Sequence, residues 1–451
     1  MEKNELSTLI TSIEIVNLFE IFNYTMEYPN SENVLIITGP NGFGKTQVLN
    51  ILYNLFNRNF IFFNKLVFET ITINLSGNIR IVIDKTILPP QSELKLDNSP
   101  KYKLKFVFYE NENIVETVTP KNSNDLSRIL NADLPTNRFY KQHLSGGWLD
   151  IETKQVFNIE DLVAKYKDIL PDRISKDISS IQNERTNQIL NSVDVHLIRE
   201  QRLFKKIVNP SKDYRSERDQ TIVVDAIQTC STDLKHLLAE KSQESFAISQ
   251  SLDRTYPNRL IGEKGKMSKE NYNVRFAKLT DKQKRLAANG LYDSNQIELS
   301  YSKDDSKALL VYLNDLEQKL SVFDDLLIKL ELFTSILNER RFTFKSIVID
   351  REKGFFFKTS KGKILELNEL SSGEQHEVIL LYELIFKTKP GILVLIDEPE
   401  ISLHITWQKE FLDDLLKIIK IQNFQVLIAT HSPAIINDRW DLVYNLEKRE
   451  V

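Results

Sequence analysis

Gly39-Pro-Asn-Gly-Phe-Gly-Lys-Thr46 has the spacing G-x-x-x-x-G-K-T, an arrangement suited to holding phosphate. Glycines at 39, 42 and 44 let backbone N–H groups curl round an anion with no Cβ in the way. Lys45 would reach the outer phosphates of a nucleoside triphosphate and Thr46 would place its hydroxyl on Mg²⁺, with Asn41 and Gln47 as neighbours in the loop. Far along the chain, the apolar run Ile392 to Ile396 ends in Asp397-Glu398. Unpaired buried charge is costly, so two carboxylates at the end of a core strand need a partner, and Mg²⁺ supplies one. Asp397 would hold the ion through water, and Glu398 would orient or deprotonate the attacking water. A third stretch, 424–436, carries an apolar run that ends in Thr430-His431-Ser432. A neutral imidazole there can bond a phosphate oxygen or the same water.

These residues need particular elements to bring them together. Val34 to Ile37 reads as a buried strand, and Val48, Leu49, Ile51, Leu52 and Leu55 follow at helical spacing, so the glycine loop sits between strand and helix. The runs before Asp397 and Thr430 read as strands of one parallel sheet, whose carboxyl edge collects the polar tips. A second glycine-containing turn, Leu370-Ser-Ser-Gly-Glu-Gln-His-Glu377, precedes another helix. Taken alone it is a helix N-cap, with Ser372 and Gln375 spaced as a capping box.

Gly39–Thr46, Leu370–Gln375, Asp397-Glu398, Ser402-Leu-His404 and His431 occur in an order that resembles the ABC-class ATPases: Walker A, signature, Walker B, D-loop and switch histidine. The resemblance implies ATP with Mg²⁺ and a head-to-tail homodimer. In such a dimer Ser371, Ser372 and Gly373 of one chain would meet the γ-phosphate held by Lys45 of the other. Ser372 stands where transporters carry a second glycine, which leans towards the chromosome-maintenance and RecF-like branch. The resemblance also implies a Q-loop glutamine on Mg²⁺ or water. Gln201, after the strand in 192–204, is the choice, with Gln142 as its rival.

Lys45 and Leu370 stand 325 residues apart, so the head is split by an insertion. The expected class is α/β: an ABC-type head of mixed β-sheet and helices in two halves, 1–207 and 342–451, around a helical coiled-coil hairpin, 208–341. Stretches 70–76, 78–85 and 101–120 alternate as a β meander, and 344–370 reads as a hairpin. Ile227, Cys230, Leu234 and Leu237 step by three and four, as do Leu309, Leu313, Leu316, Leu320, Phe323, Leu327 and Leu330. The second of these helices would run about 35 residues, or ~50 Å. Between them, 263–285 carries eight Lys/Arg against three Asp/Glu, which suits either a nucleic-acid contact or a solvated face.

A net charge of −4 gives no overall basic field towards nucleic acid, and the single cysteine, Cys230, allows neither a disulfide nor a cysteine zinc site within the chain. With no signal-like start and no apolar run near ~20 residues, the reading is cytoplasmic and without membrane contact. Only 20 residues follow His431, too few for the Toprim nuclease domain that OLD-family proteins append to a similar head. A stand-alone head with a short helical insertion resembles the ATPase subunits of bacterial antiviral systems of Septu or PARIS type. That resemblance implies a sensor and scaffold in a higher homo-oligomer, controlling a separate effector nuclease, with nucleic acid or a phage protein as trigger. The alternative is a RecF-like repair ATPase on DNA; the long insertion argues against a transporter subunit.

Overall fold

Alternating apolar residues near the start of the chain turn one face to a core. Strand β1 (Ile10–Leu18) buries Ile10, Ile13, Ile15 and Leu18, and β2 (Phe22–Glu27) buries Tyr24 and Met26. Next comes β3 (Val34–Thr38), buried along nearly its whole length, as a strand covered on both faces must be. Helix α1 (Lys45–Phe56) follows the glycine loop. Then β4 (Thr70–Leu75), β5 (Ile79–Ile87), β6 (Tyr102–Glu110) and β7 (Asn113–Val118) form the expected meander. The meander joins β1 and β2 in a six-stranded antiparallel sheet of order β2-β1-β4-β5-β6-β7. The motif pattern gives no hint of β1 and β2.

The computed structural model describes residues 8–29, 32–87, 102–120, 139–141, 147–150, 156–157, 162, 181–199, 204–208, 221–292, 300–342 and 344–447. The short strands β8 (Phe139–Lys141), β9 (Trp148–Asp150) and β10 (Val156–Phe157) pair antiparallel. After α2 (Glu184–Asn191), β11 (Val195–Ile198) enters a second, five-stranded sheet. The chain divides into two compact units, one of residues 1–200, 210–219 and 388–451 and one of residues 201–209 and 220–387.

The first unit also holds β17 (Leu393–Asp397), β18 (Gln425–Ala429) and β19 (Val443–Asn445). Its five-stranded sheet is parallel throughout, with order β11-β17-β18-β3-β19. Register puts Asp397 opposite Ala429, and Ala429 opposite Ile37, so the strand ends that carry polar tips lie side by side. Val48, Leu49, Leu52 and Leu55 of α1 share one core with Leu35, Leu395 and Leu427 of this sheet. Ile13, Ile73, Ile83 and Phe106 of the antiparallel sheet belong to the same core. Each of these buried side chains contributes roughly 1.5–3 kcal/mol. Gln425 fastens the sheets at one point: its side chain accepts from Ile10 N at 2.8 Å and donates to Ile10 O at 2.9 Å.

In the second unit the hairpin β12 (Phe204–Val208) and β13 (Thr221–Asp225) leads into α3 (Ala226–Gly262). Helices α4 (Lys269–Ala288), α5 (Ser306–Ser321) and α6 (Asp324–Ser335) follow. The sheet β14 (Lys345–Asp350), β15 (Gly354–Thr359) and β16 (Ile364–Leu365) and helix α7 (Ser372–Tyr382) complete it. α3 and α5 pair antiparallel, as expected, through Arg259 to Asp315 and Lys319 to Asp253. Two details differ. Leu238, rather than Leu237, completes the buried face of α3. The expected 35-residue helix is broken at Val322-Phe323, where Asp324 and Asp325 begin a new first turn that the helix dipole favours. α4 runs parallel to α5 and α6, and Arg275, Lys282 and Arg285 pair with Glu317, Asp324 and Glu331. Those three charges of the 263–285 stretch are thereby taken up within the bundle.

The boundary at 387/388 cuts the chain elsewhere than at 207/208 and 341/342, because 344–387 packs with the helices. Ser231 Oγ of α3 donates towards Lys353 O and Phe355 O and accepts from Phe355 N. Phe333 of α6, Phe355 of β15, Tyr382 of α7 and Phe386 form one aromatic cluster.

Candidate active site

Five residues from separate stretches of the first unit meet at the carboxyl edge of its parallel sheet: Lys45, Thr46, Asp397, Glu398 and His431. The loop from Gly39 to Gly44 bends through positive φ at Gly39, Gly42 and Gly44. At Gly44, the N-cap of α1, a Cβ would lie 3.0 Å from Leu18 Cδ2, so close packing and a left-handed backbone both select glycine. From β2, Tyr24 Oη donates to Phe43 O at 2.8 Å and braces the loop. Burial first, and Tyr444 second, push that phenol up to about 12, so it stays a donor.

Lys45 is 5% exposed. Its Nζ donates to Gly39 O at 2.9 Å and lies 2.5 Å from His431 Nε2. Burial lowers its pKa, and Glu398, Asp397 and Glu400 oppose that shift as the nearby negative charges. Thr46 Oγ1 donates to Asp397 Oδ1 at 3.1 Å. Glu398 Oε1 stands 3.3 Å from His431 Nε2. The backbone of Glu398 is left-handed, with φ 44° and ψ 60°, a conformation that costs a non-glycine residue about 1–2 kcal/mol. A bond from Glu398 N to Ala429 O at 2.8 Å holds it there. Strain of this kind collects where a side chain must be aimed.

Two further supports lie outside the sequence motifs. Glu400 Oε1 accepts the backbone N–H of His431 at 2.7 Å, fixing the residue that reaches Lys45. Gln408, in helix α8 (Ile405–Gln422), donates to the carbonyls of Glu400 and Leu403 and accepts from Ser432 Oγ at 2.8 Å. It thus clamps the turn after Asp397 to the turn after β18. Glu400 was visible as an acid three residues beyond Asp397; Gln408 had no signal. Within the expected D-loop, His404 caps α8, its Nδ1 accepting from Thr406 N.

Asn41 is exposed at the tip of the loop and Gln47 is half-buried on α1. Gln201 and Gln142 both lie outside the described residues. Ser371, Ser372 and Gly373 belong to the second unit, at the start of α7. The capping box there is Ser371 with Glu374, one residue earlier than the expected Ser372 with Gln375. Gln375 instead turns back to donate to Leu370 O at 2.9 Å.

Thr46 and Asp397 offer hard oxygen donors 3.1 Å apart, and no group of three or more His, Cys, Asp or Glu suited to a metal occurs among the described residues. That sparse donor set fits Mg²⁺, which keeps waters and is shared with substrate phosphates, and does not fit a protein-caged metal. No helix among the described residues is long and apolar enough to cross a membrane.

A family model described as an AAA ATPase domain matches residues 9–436. Among solved structures, the chain is similar to a Smc head domain with an extended coiled coil, bound to the C-terminal domain of ScpA, from Pyrococcus furiosus. Identity is 12% over 95% of this chain and 91% of that one, with a TM-score of 0.34. The SMC head domain from Thermotoga maritima is 10% identical over 97% of this chain and 94% of that one, with a TM-score of 0.30. No curated protein matches.

Proposed function

The chain belongs to the AAA ATPase domain family, and from that premise we propose a site in which Lys45 and Thr46 hold the phosphates of ATP and Glu398 activates the attacking water. The observation that carries this reading is the convergence of Lys45, Thr46, Asp397, Glu398 and His431 on one sheet edge. Thr46 and Asp397 would hold Mg²⁺, which supplies charge neutralisation on the phosphates. Glu398 is the carboxylate within reach of His431, and an imidazole tied to Glu400 through its backbone is positioned to sense the γ-phosphate.

We further propose that the site is completed by Ser371, Ser372 and Gly373 of a second copy, and that the assembly is the sensor and scaffold of an antiphage complex controlling a separate nuclease. The order of the five motifs supports the first part, and the helical insertion between the phosphate loop and the 370–377 turn supports the second. The test of the shared site mixes two differently tagged variants. Lys45→Ala lacks a phosphate ligand, and Gly373→Asp sets a carboxylate against the partner's γ-phosphate. Each is expected to be inactive alone. In the mixed dimer both lesions fall on one composite site, the other site is intact, and part of the steady-state ATPase returns. Verified heterodimers with no recovery leave an intrachain site or strict coupling of the two sites, and light scattering of the unaltered chain separates them: no ATP-dependent shift from monomer to dimer would refute the shared site. A permease, rather than a nuclease, copurifying with the chain would overturn the defence role.

A further inference from the structure

We infer that Lys345 is a positioning residue for the 371–373 turn: it neutralises Glu374 so that the N-terminus of α7 can accept a phosphate. The inference rests on the shared-site reading above. Glu374 stands in the first turn of α7, and its Oε2 accepts from Ser371 N at 2.8 Å and Ser371 Oγ at 2.9 Å. Lys345, from β14, places Nζ 2.8 Å from both carboxylate oxygens. The two side chains are 27% and 17% exposed, so solvent screens the pair only in part. Burial opposes ionisation of Glu374, but the bonds from Lys345 and Ser371 outweigh it and hold the group below its usual pKa.

This arrangement resolves a conflict. A carboxylate in the first turn satisfies the helix's own N–H groups and its dipole. The same negative charge cancels the positive end that a γ-phosphate requires. Ser371 must also give up its Oγ–H to bond a phosphate, because that hydrogen is donated to Glu374. With Lys345 on both oxygens, Glu374 can release Ser371 Oγ without becoming an uncompensated charge. The capping box is local, but its countercharge comes from a strand 29 residues back.

The experiment measures ATP-driven self-association of the full chain by sedimentation, in a Glu398→Gln background that retains ATP. Four chains are compared: the parent, Lys345→Met, Glu374→Gln, and the double variant. Lys345→Met is expected to weaken association by about ten- to a hundredfold, the scale of a nearby like charge at an effective dielectric constant near 20. Glu374→Gln is expected to stay near the parent, because it removes the repelling charge, and the double variant to recover within about threefold. A purely structural pair would instead leave association unchanged in Lys345→Met, or leave the double variant as weak as the single, and either result overturns the inference. Affinity for fluorescent ADP, held by each chain's own loop, checks folding. Should Lys345→Met fail to fold, the double variant decides, with association supporting the inference and weak association overturning it. If the parent, unaltered at 345 and 374, does not associate with ATP, the shared site has failed and the inference falls with it.

Discussion

Glu400→Ala removes the acceptor that holds the backbone N–H of His431 at 2.7 Å. A hydrogen bond to a charged group contributes about 1.5–3 kcal/mol. Part of that returns on mutation, because the other oxygen, Oε2, is buried without a hydrogen-bond partner and its desolvation cost disappears. The net loss of stability is therefore expected at ~1 kcal/mol, small enough for the variant to fold. Hydrolysis is expected to suffer more. His431 Nε2 stands 2.5 Å from Lys45 and 3.3 Å from Glu398, so a freed backbone loosens the contact between the glycine loop and the carboxylate proposed to activate water. If the bond is expressed fully in the transition state, its 1.5–3 kcal/mol becomes about a ten- to hundredfold fall in single-turnover rate. ATP affinity should change by less than about threefold, because Lys45 keeps its bonds to Gly39 and Pro40. Glu400→Gln, which keeps a carbonyl acceptor, should retain most of the rate. Single-turnover hydrolysis and equilibrium nucleotide titration separate the two effects. A Glu400→Ala rate within about twofold of the original chain, or an affinity loss equal to the rate loss, would refute the reasoning.

Two predictions concern the second unit. At Gly354, φ is +80° and an added Cβ would lie 1.8 Å from Ser231 O, so Gly354→Ala must push α3 off β15. We expect a loss above ~3 kcal/mol in urea unfolding, with ADP affinity of the Lys45 loop retained. Glu374 has a folded pKa below its unfolded value, so its pairing adds stability above the unfolded pKa, about 4.3, and loses it as pH falls through the folded value. Glu374→Gln should flatten that acid limb of the unfolding free energy between about pH 5 and 3, and an unchanged slope would refute the assignment.

The placement of the candidate phosphate loop was legible because the proposed chemistry constrains residue type and local element together. A phosphate loop needs glycines after a buried strand and before a helix, and β3, Gly39–Gly44 and α1 satisfy all three conditions in consecutive residues. Asp397 and His431 were legible because apolar runs pointed them to one sheet edge, and β17 and β18 are neighbours in register. The supports were less legible. Gln408 acts through two carbonyls and a serine that converge only in three dimensions, and no spacing rule announces such a clamp. Register within a serine pair also escaped: Ser371 and Ser372 both satisfy a capping-box pattern, with Glu374 and Gln375 respectively, and only packing chooses between them. The box that forms is the one whose carboxylate, Glu374, has a cation beside it in Lys345. The break at Val322-Phe323 has the same character. Leucine periodicity continues across it, and the change of helix shows only in the paired acids that start the next turn.

The contacts of Lys45 suggest how binding and switching are joined in one side chain. Its ammonium is nearly buried, and water no longer compensates it; two loop carbonyls, one imidazole and three nearby carboxylates do. A triphosphate that engages Lys45 must compete with these groups, and the imidazole gives way at least cost because it is neutral when it accepts a hydrogen bond. The carbonyls belong to the loop itself and shift only with its backbone. Engagement of Lys45 by phosphate therefore frees His431 Nε2 in particular, while Glu400 still holds His431 by its backbone. The imidazole can then turn from the lysine to the phosphate or the water without its anchor moving. His431 is thus held by a soft contact at Nε2, from Lys45 at the start of α1, and a firm one at its N–H, from Glu400 in the turn after Asp397.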